Sequence, residues 1–182
     1  MLGQGTFLIA GAAERGHTRR MRLRFRGKRS GPLPEIEIPA EDRLKLGHLR
    51  DPTLARLFAA IDEAAPETAV LYVEGTRIPT EIRDFLEQRR ILPAAVPTAG
   101  TIFPRPAKFH MPLRKENLRQ LRALAKRYGP LEVCEHVVVY EGESVLLDAY
   151  DAGDGEVHVN RRLLPSERIA RLREILRPLA ND

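Results

Sequence analysis

Along residues 20–27 apolar and basic side chains alternate: Met21, Leu23 and Phe25 fall on one side, Arg22, Arg24 and Arg26 on the other. A period of two belongs to a strand with one buried and one open face. Residues 6–12 (TFLIAGA) make a second, more apolar run, and the intervening loop with Gly16 suits an antiparallel hairpin. After the breakers Ser30, Gly31 and Pro32, alternation resumes over 34–38, with Ile36 and Ile38 inward and Glu35 and Glu37 outward. Beside 20–27, this strand would set its carboxylates against the arginines.

The period then changes to that of a helix. Residues 51–65 carry Leu54, Leu57, Phe58 and Ile61 on one stripe, with Asp51 as N-cap and Pro52 in the first turn. Residues 69–74 (AVLYVE) are nearly all apolar, as in a strand buried on both faces. Residues 79–90 form the next helix through Ile82, Phe85 and Leu86. Five prolines then interrupt 92–112, which excludes a helix interior or a central strand and leaves an extended connector or edge segment. It carries Phe103, Arg105, Lys108, Phe109 and His110.

Beyond it, a helix over 114–128 ends at Gly129-Pro130, and strands follow over 131–140, 143–150 and Glu156–Asn160. A last helix from Pro165-Ser166 buries Ile169, Leu172, Ile175 and Leu176. The pattern predicts an α+β fold: N-terminal antiparallel strands plus two helices, then a helix–three-stranded meander–helix unit. The corresponding division is 1–91, a Pro-rich connector over 92–112, and 113–182, with a single compact domain as the other arrangement.

The meander yields one candidate site. A two-residue turn at Glu141-Gly142 pairs Tyr140 with Glu143, and so sets His136 opposite Leu147 and Glu135 opposite Asp148. Val157 and Val159 should share the face of Val145, Leu147 and Ala149, and one loop length that satisfies this pairs Asp148 with His158, whereas a shift of two residues would separate Glu135, Asp148 and His158. His136 and Cys134 then lie on the core side. Glu135, Asp148 and His158 align on the other side, flanked by Tyr150, Glu156 and Asn160. An imidazole between two carboxylates suits general acid–base work or a divalent metal, against the plain alternative of a polar solvent face. The loop DAGDG, 151–155, is explained as a hairpin turn, and Glu74-Gly75 sits where a buried strand ends.

Charge adds a second candidate. Residues 1–30 hold eight basic residues against Glu14 alone, a charge of +7; the whole chain is at +5, so the remaining 152 residues are at −2. Such asymmetry points to a local anionic partner. Arg19, Arg20, Arg22, Arg24, Arg26, Lys28 and Arg29 form the anion-binding candidate; alternate strand positions lie about 6.6 Å apart, near a single-strand phosphate spacing. A second basic set, Arg161, Arg162, Arg168, Arg171, Arg173 and Arg177, belongs to the last helix. With no Trp, four Tyr and six Phe, the chain is poor in aromatic side chains on which the bases of a single strand could stack.

Absences narrow the classes further. The sequence has no GxxxxGKS/T or GxGxxG nucleotide loop, and no HExxH, CxxC or GxSxG. One cysteine, Cys134, excludes an internal disulfide, and no cofactor or resident metal is expected. No apolar run reaches the roughly 20 residues of a membrane span, and no positive residue precedes the run at 6–13, so a cytoplasmic protein is expected. Three readings follow. One is a binding protein contacting nucleic acid or another polyanion through the arginine strand. Another is an adaptor or regulatory subunit docking a protein partner through that cluster or through 103–109. The last is an acid–base or metal-dependent enzyme using Glu135, Asp148 and His158.

Overall fold

Six strands make one sheet in the order β2 (Arg43–His48), β8 (Glu156–Asn160), β7 (Ser144–Tyr150), β6 (His136–Glu141), β3 (Val70–Gly75) and β5 (Ala107–Pro112), every pairing antiparallel. The computed structural model describes residues 31–49, 54–98, 104–152 and 155–177. The strands proposed over 6–12 and 20–27, with their arginine cluster, lie outside the described residues, as do Asp51 and Pro52. Residues 32–182 belong to one compact unit.

β1 (Glu35–Ile36) and β4 (Val96–Pro97) form a separate parallel pair. The helices are α1 (Leu54–Ala64), α2 (Thr80–Gln88), α3 (Lys115–Ala125), the single turn α4 (Pro130–Val133) and α5 (Ser166–Leu176). Mixed helix and antiparallel sheet make the fold α+β, as the pattern of periods predicts.

Each helix covers one face of the sheet because its apolar residues recur every three or four positions. Leu57, Phe58 and Ile61 of α1, Leu118 and Leu121 of α3, and Leu172 of α5 pack with Leu71, Val73, Val137, Val139, Leu147, Val157 and Val159. Strand alternation sends Tyr72, Val138, Tyr140 and Val145 to the opposite face, where Ile36, Ile38 and Ala95 cover them in a smaller cluster. β3 is therefore buried on both faces, and its near-continuous apolar run follows from that.

Three elements differ from the expectation. β2 is an unanticipated edge strand; its alternation of Arg43 and Lys45 with Leu44 and Leu46 is short, and a single turn over Ala40–Asp42 precedes it. The stretch expected to open a strand at 131 begins instead with α4. Pro130 suits a first helical position, and the Gly129 amide donates to the Glu132 carboxylate at 2.7 Å. The Pro-rich connector contributes two strands. Pro97 ends β4, Pro106 precedes β5 and Pro112 ends it, so each proline sits where a missing amide costs no central ladder bond.

The β6–β7 hairpin closes one residue later than the sequence suggested. Glu141 pairs with Ser144, and Gly142 takes a left-handed φ of 59° that carries no Cβ penalty there. That change alone preserves which residues share a face. A bulge does not: Val139 pairs with Leu147 and Tyr140 with Val145, leaving Leu146 as an extra residue in β7. Below the bulge every β6 residue has therefore changed sides relative to β7. Leu146 and Leu147 both join the helix-side core, and His136 faces away from it.

Candidate functional site

The face of the sheet turned from the helices gathers most of the chain's described imidazoles. Asp148 and His158 are direct partners across β7 and β8, the register that one of the compatible loop lengths gives. His136 is opposite Tyr150, one diagonal step from Asp148. Its Nε2 lies 2.7 Å from Asp148 Oδ1, within hydrogen-bond range. The imidazole is only 2% exposed, and Nδ1 is buried with no hydrogen-bond partner.

On β8, Glu156 and His158 are two residues apart and share this face; His158 Nε2 lies 3.1 Å from Glu156 Oε2. Lys45 of β2 donates to the other Glu156 oxygen, and His48 Nε2 stands 3.7 Å from it. The lysine contact holds the Glu156 carboxyl below its ordinary range. His136, Asp148, Glu156 and His158 line a cleft of about 510 Å³, which Ile36, Glu37, Pro97 and Thr98 border around the β1–β4 pair.

Glu135 takes a different place from the one its neighbours suggested. It precedes β6, and the Thr76 hydroxyl donates to its carboxylate. The cleft lining thus joins Asp148 and His158 with His136 rather than with Glu135. His136, expected on the core side, is the residue that sequence reasoning missed, because the bulge that turns it has no sequence mark. Cys134 is buried in the helix-side core, where burial pushes its thiol up. Asn160 accepts from the amides of Arg162 and Leu163, at 3.0 and 3.3 Å, and so caps the turn after β8.

A second polar group adjoins the first on the same face. Tyr72 donates to the wholly buried Glu74, which Lys108 Nζ also approaches at 3.5 Å. His110 Nδ1 lies 2.9 Å from the Tyr140 hydroxyl. Burial, then the nearby Arg90 and Lys108, lower His110 to about 4, so it is neutral near pH 7. Burial raises Tyr140 to about 12. Burial and the Glu74 carboxylate raise Tyr72 too. Five rings run across the sheet in edge or tilted contact: Tyr140, His110, Tyr72, His136 and Tyr150, with centroids 5.9, 4.9, 6.0 and 5.1 Å apart.

Three of the six arginines of the second basic set are engaged within the fold. Arg168 donates to the Ala64 carbonyl at 2.9 Å, Arg171 pairs with Glu63 at 3.0 Å, and Arg161 donates to the Glu41 carbonyl. A groove of about 480 Å³ between α1 and α5 is lined by Glu63, Glu167, Arg168 and Arg171, two carboxylates against two guanidinium groups, with Glu63 and Arg171 paired. Glu35 and Glu37 are exposed, with Glu37 4.0 Å from Arg43. Among the described residues no three His, Cys, Asp or Glu side chains are arranged to hold a metal ion. None of the described helices is long and apolar enough to cross a membrane.

Comparison with known proteins finds no matching family model, no matching curated protein and no matching solved structure.

Proposed function

We propose that this protein binds a small polar ligand in the cleft on the open face of the sheet and exchanges a proton with it through His136 and Asp148. The observation that carries this reading is the 2.7 Å contact between His136 Nε2 and Asp148 Oδ1 in the wall of the cleft. A carboxylate that accepts Nε2–H fixes the imidazole in the tautomer with a lone pair on Nδ1. That nitrogen has no partner within the protein. His158 beside Glu156 repeats the pairing on the next strand, so the cleft holds two imidazole–carboxylate pairs. The acid–base enzyme suggested by the sequence is thereby restated with His136, Asp148 and His158. Glu135 is left to the Thr76 contact.

The test is a screen of small polar compounds against protein carrying 15N-labelled histidine. Ligands of this cleft should shift the His136 and His158 ring signals and leave His110 unmoved. A screen that moves none of these rings, or moves His110 alone, would end the reading.

A second reading has its own support, the +7 carried by residues 1–30 against −2 over the rest. In it the arginine strand contacts a polyanion, nucleic acid or the acidic surface of a protein partner. Binding should weaken steeply with salt and disappear in an Arg22/Arg24/Arg26→Ala variant. Binding to single-stranded nucleic acid and to an acidic protein separates the two partners, and binding unchanged by the triple substitution removes both.

A further inference from the structure

The cleft offers many acceptors and few donors. Four carboxylates line it, Glu37, Asp148, Asp151 and Glu156, against one permanent cation, Arg43. Two of the four are answered locally. Glu37 faces Arg43 at 4.0 Å, and Glu156 is held by Lys45 and His158. Arg43 is further engaged with the Ile38 carbonyl at 3.4 Å. Among the described residues Asp148 is paired with an imidazole, and Asp151 has no ion-pair partner. The unpartnered Nδ1 of His136, in a side chain 98% buried, adds an acceptor to the same wall, because Asp148 already takes the Nε2 proton.

The remaining surfaces match this polarity. Tyr150 stands in the lining with half of its area exposed, and its ring packs edge-on to His136 at 5.1 Å. An exposed aromatic face beside carboxylates attracts a cation by its quadrupole. Ile36, Val138 and Val145 supply an apolar floor for a short hydrocarbon chain.

We infer that the ligand of this cleft is a small organic cation, an ammonium or guanidinium compound. Asp148 and Asp151 accept its N–H groups, Tyr150 covers its charge, and its alkyl part lies on the apolar floor. The inference rests on the cleft being the binding site, and it adds the charge class.

The experiment titrates the full chain, at fixed ionic strength, with four probes built on a short alkyl chain: agmatine, butylammonium, butyrate and 1-butanol. Histidine and tyrosine ring signals are followed by NMR. Agmatine and butylammonium should shift His136 and Tyr150 with Kd values about tenfold or more below that of 1-butanol, and butyrate should bind most weakly. Asp151→Asn, an exposed change that leaves the packed sheet intact, should weaken the cations about tenfold, and Asp148→Asn should do the same. Tighter binding of butyrate or 1-butanol, or cation binding indifferent to Asp151→Asn, overturns the cationic class while leaving the cleft as the site. No shift with any probe overturns both.

Discussion

His136 and Asp148 meet at 2.7 Å because a single extra residue, Leu146, rotates one strand against its neighbour. Without the bulge the imidazole would point into the helix-side core, among valines and leucines that offer it no acceptor. With it, a buried ring reaches a carboxylate one diagonal step away.

That contact should be measurable as stability. Asp148→Ala leaves the His136 Nε2 buried without its acceptor, which costs about 1–3 kcal/mol. Asp148→Asn, able to accept at the same place, should lose less. Urea unfolding of the three proteins checks the order, and an alanine variant as stable as the parent would show that the two side chains do not depend on each other.

Glu74 presents a related case with a true charge. It is wholly buried, accepts from Tyr72 and has Lys108 Nζ at 3.5 Å. Lys108→Met withdraws a cation from a carboxylate that stays inside, so stability should fall by about 1–3 kcal/mol. Adding Glu74→Gln should return part of that loss, since the amide needs no counter-charge. The double-mutant cycle in urea gives the coupling directly, and strict additivity would show that Lys108 does not support Glu74.

His110 sets a pH dependence whose sign follows from its lowered pKa. In the native state burial, then Arg90 and Lys108, hold it at about 4, against 6.5 for a free imidazole. Between these values the unfolded chain binds more protons, so stability is full above about 6.5, falls as pH drops toward 4, and changes no further below that. The loss has an upper bound of about 3 kcal/mol. Urea melts at pH 7, 5.5 and 4 should show a steeper acid loss for the parent than for His110→Gln. Identical slopes would place the acid loss elsewhere, in the carboxylates.

The sequence made the strand and helix periods legible, and with them the α+β class and the Asp148–His158 pairing, which depends only on a loop length and a shared apolar face. The side of the sheet taken by His136 was hidden, because Leu146 is an apolar residue in an apolar strand and nothing in its chemistry announces that it is surplus. β2 was hidden for a different reason: Leu44 and Leu46 are only partly buried, and six residues of mild alternation resemble a loop. The role of 92–112 was readable as an edge segment but not as a wall of the cleft. That role depends on Pro97 and Thr98 lying across residues more than thirty positions away in sequence. The arginine strand remains a matter of charge and alternation.

The row of rings across the open face also determines what light can report about this molecule. The chain has no tryptophan and four tyrosines, and three of them, Tyr72, Tyr140 and Tyr150, belong to that row or its end. The fourth, Tyr128, donates to Glu81 on the helical side. Of these only Tyr150 lines the cleft and is half exposed, while Tyr72 and Tyr140 are buried. A ligand-dependent change in tyrosine emission would therefore report on Tyr150, an optical probe that the native protein carries without any label.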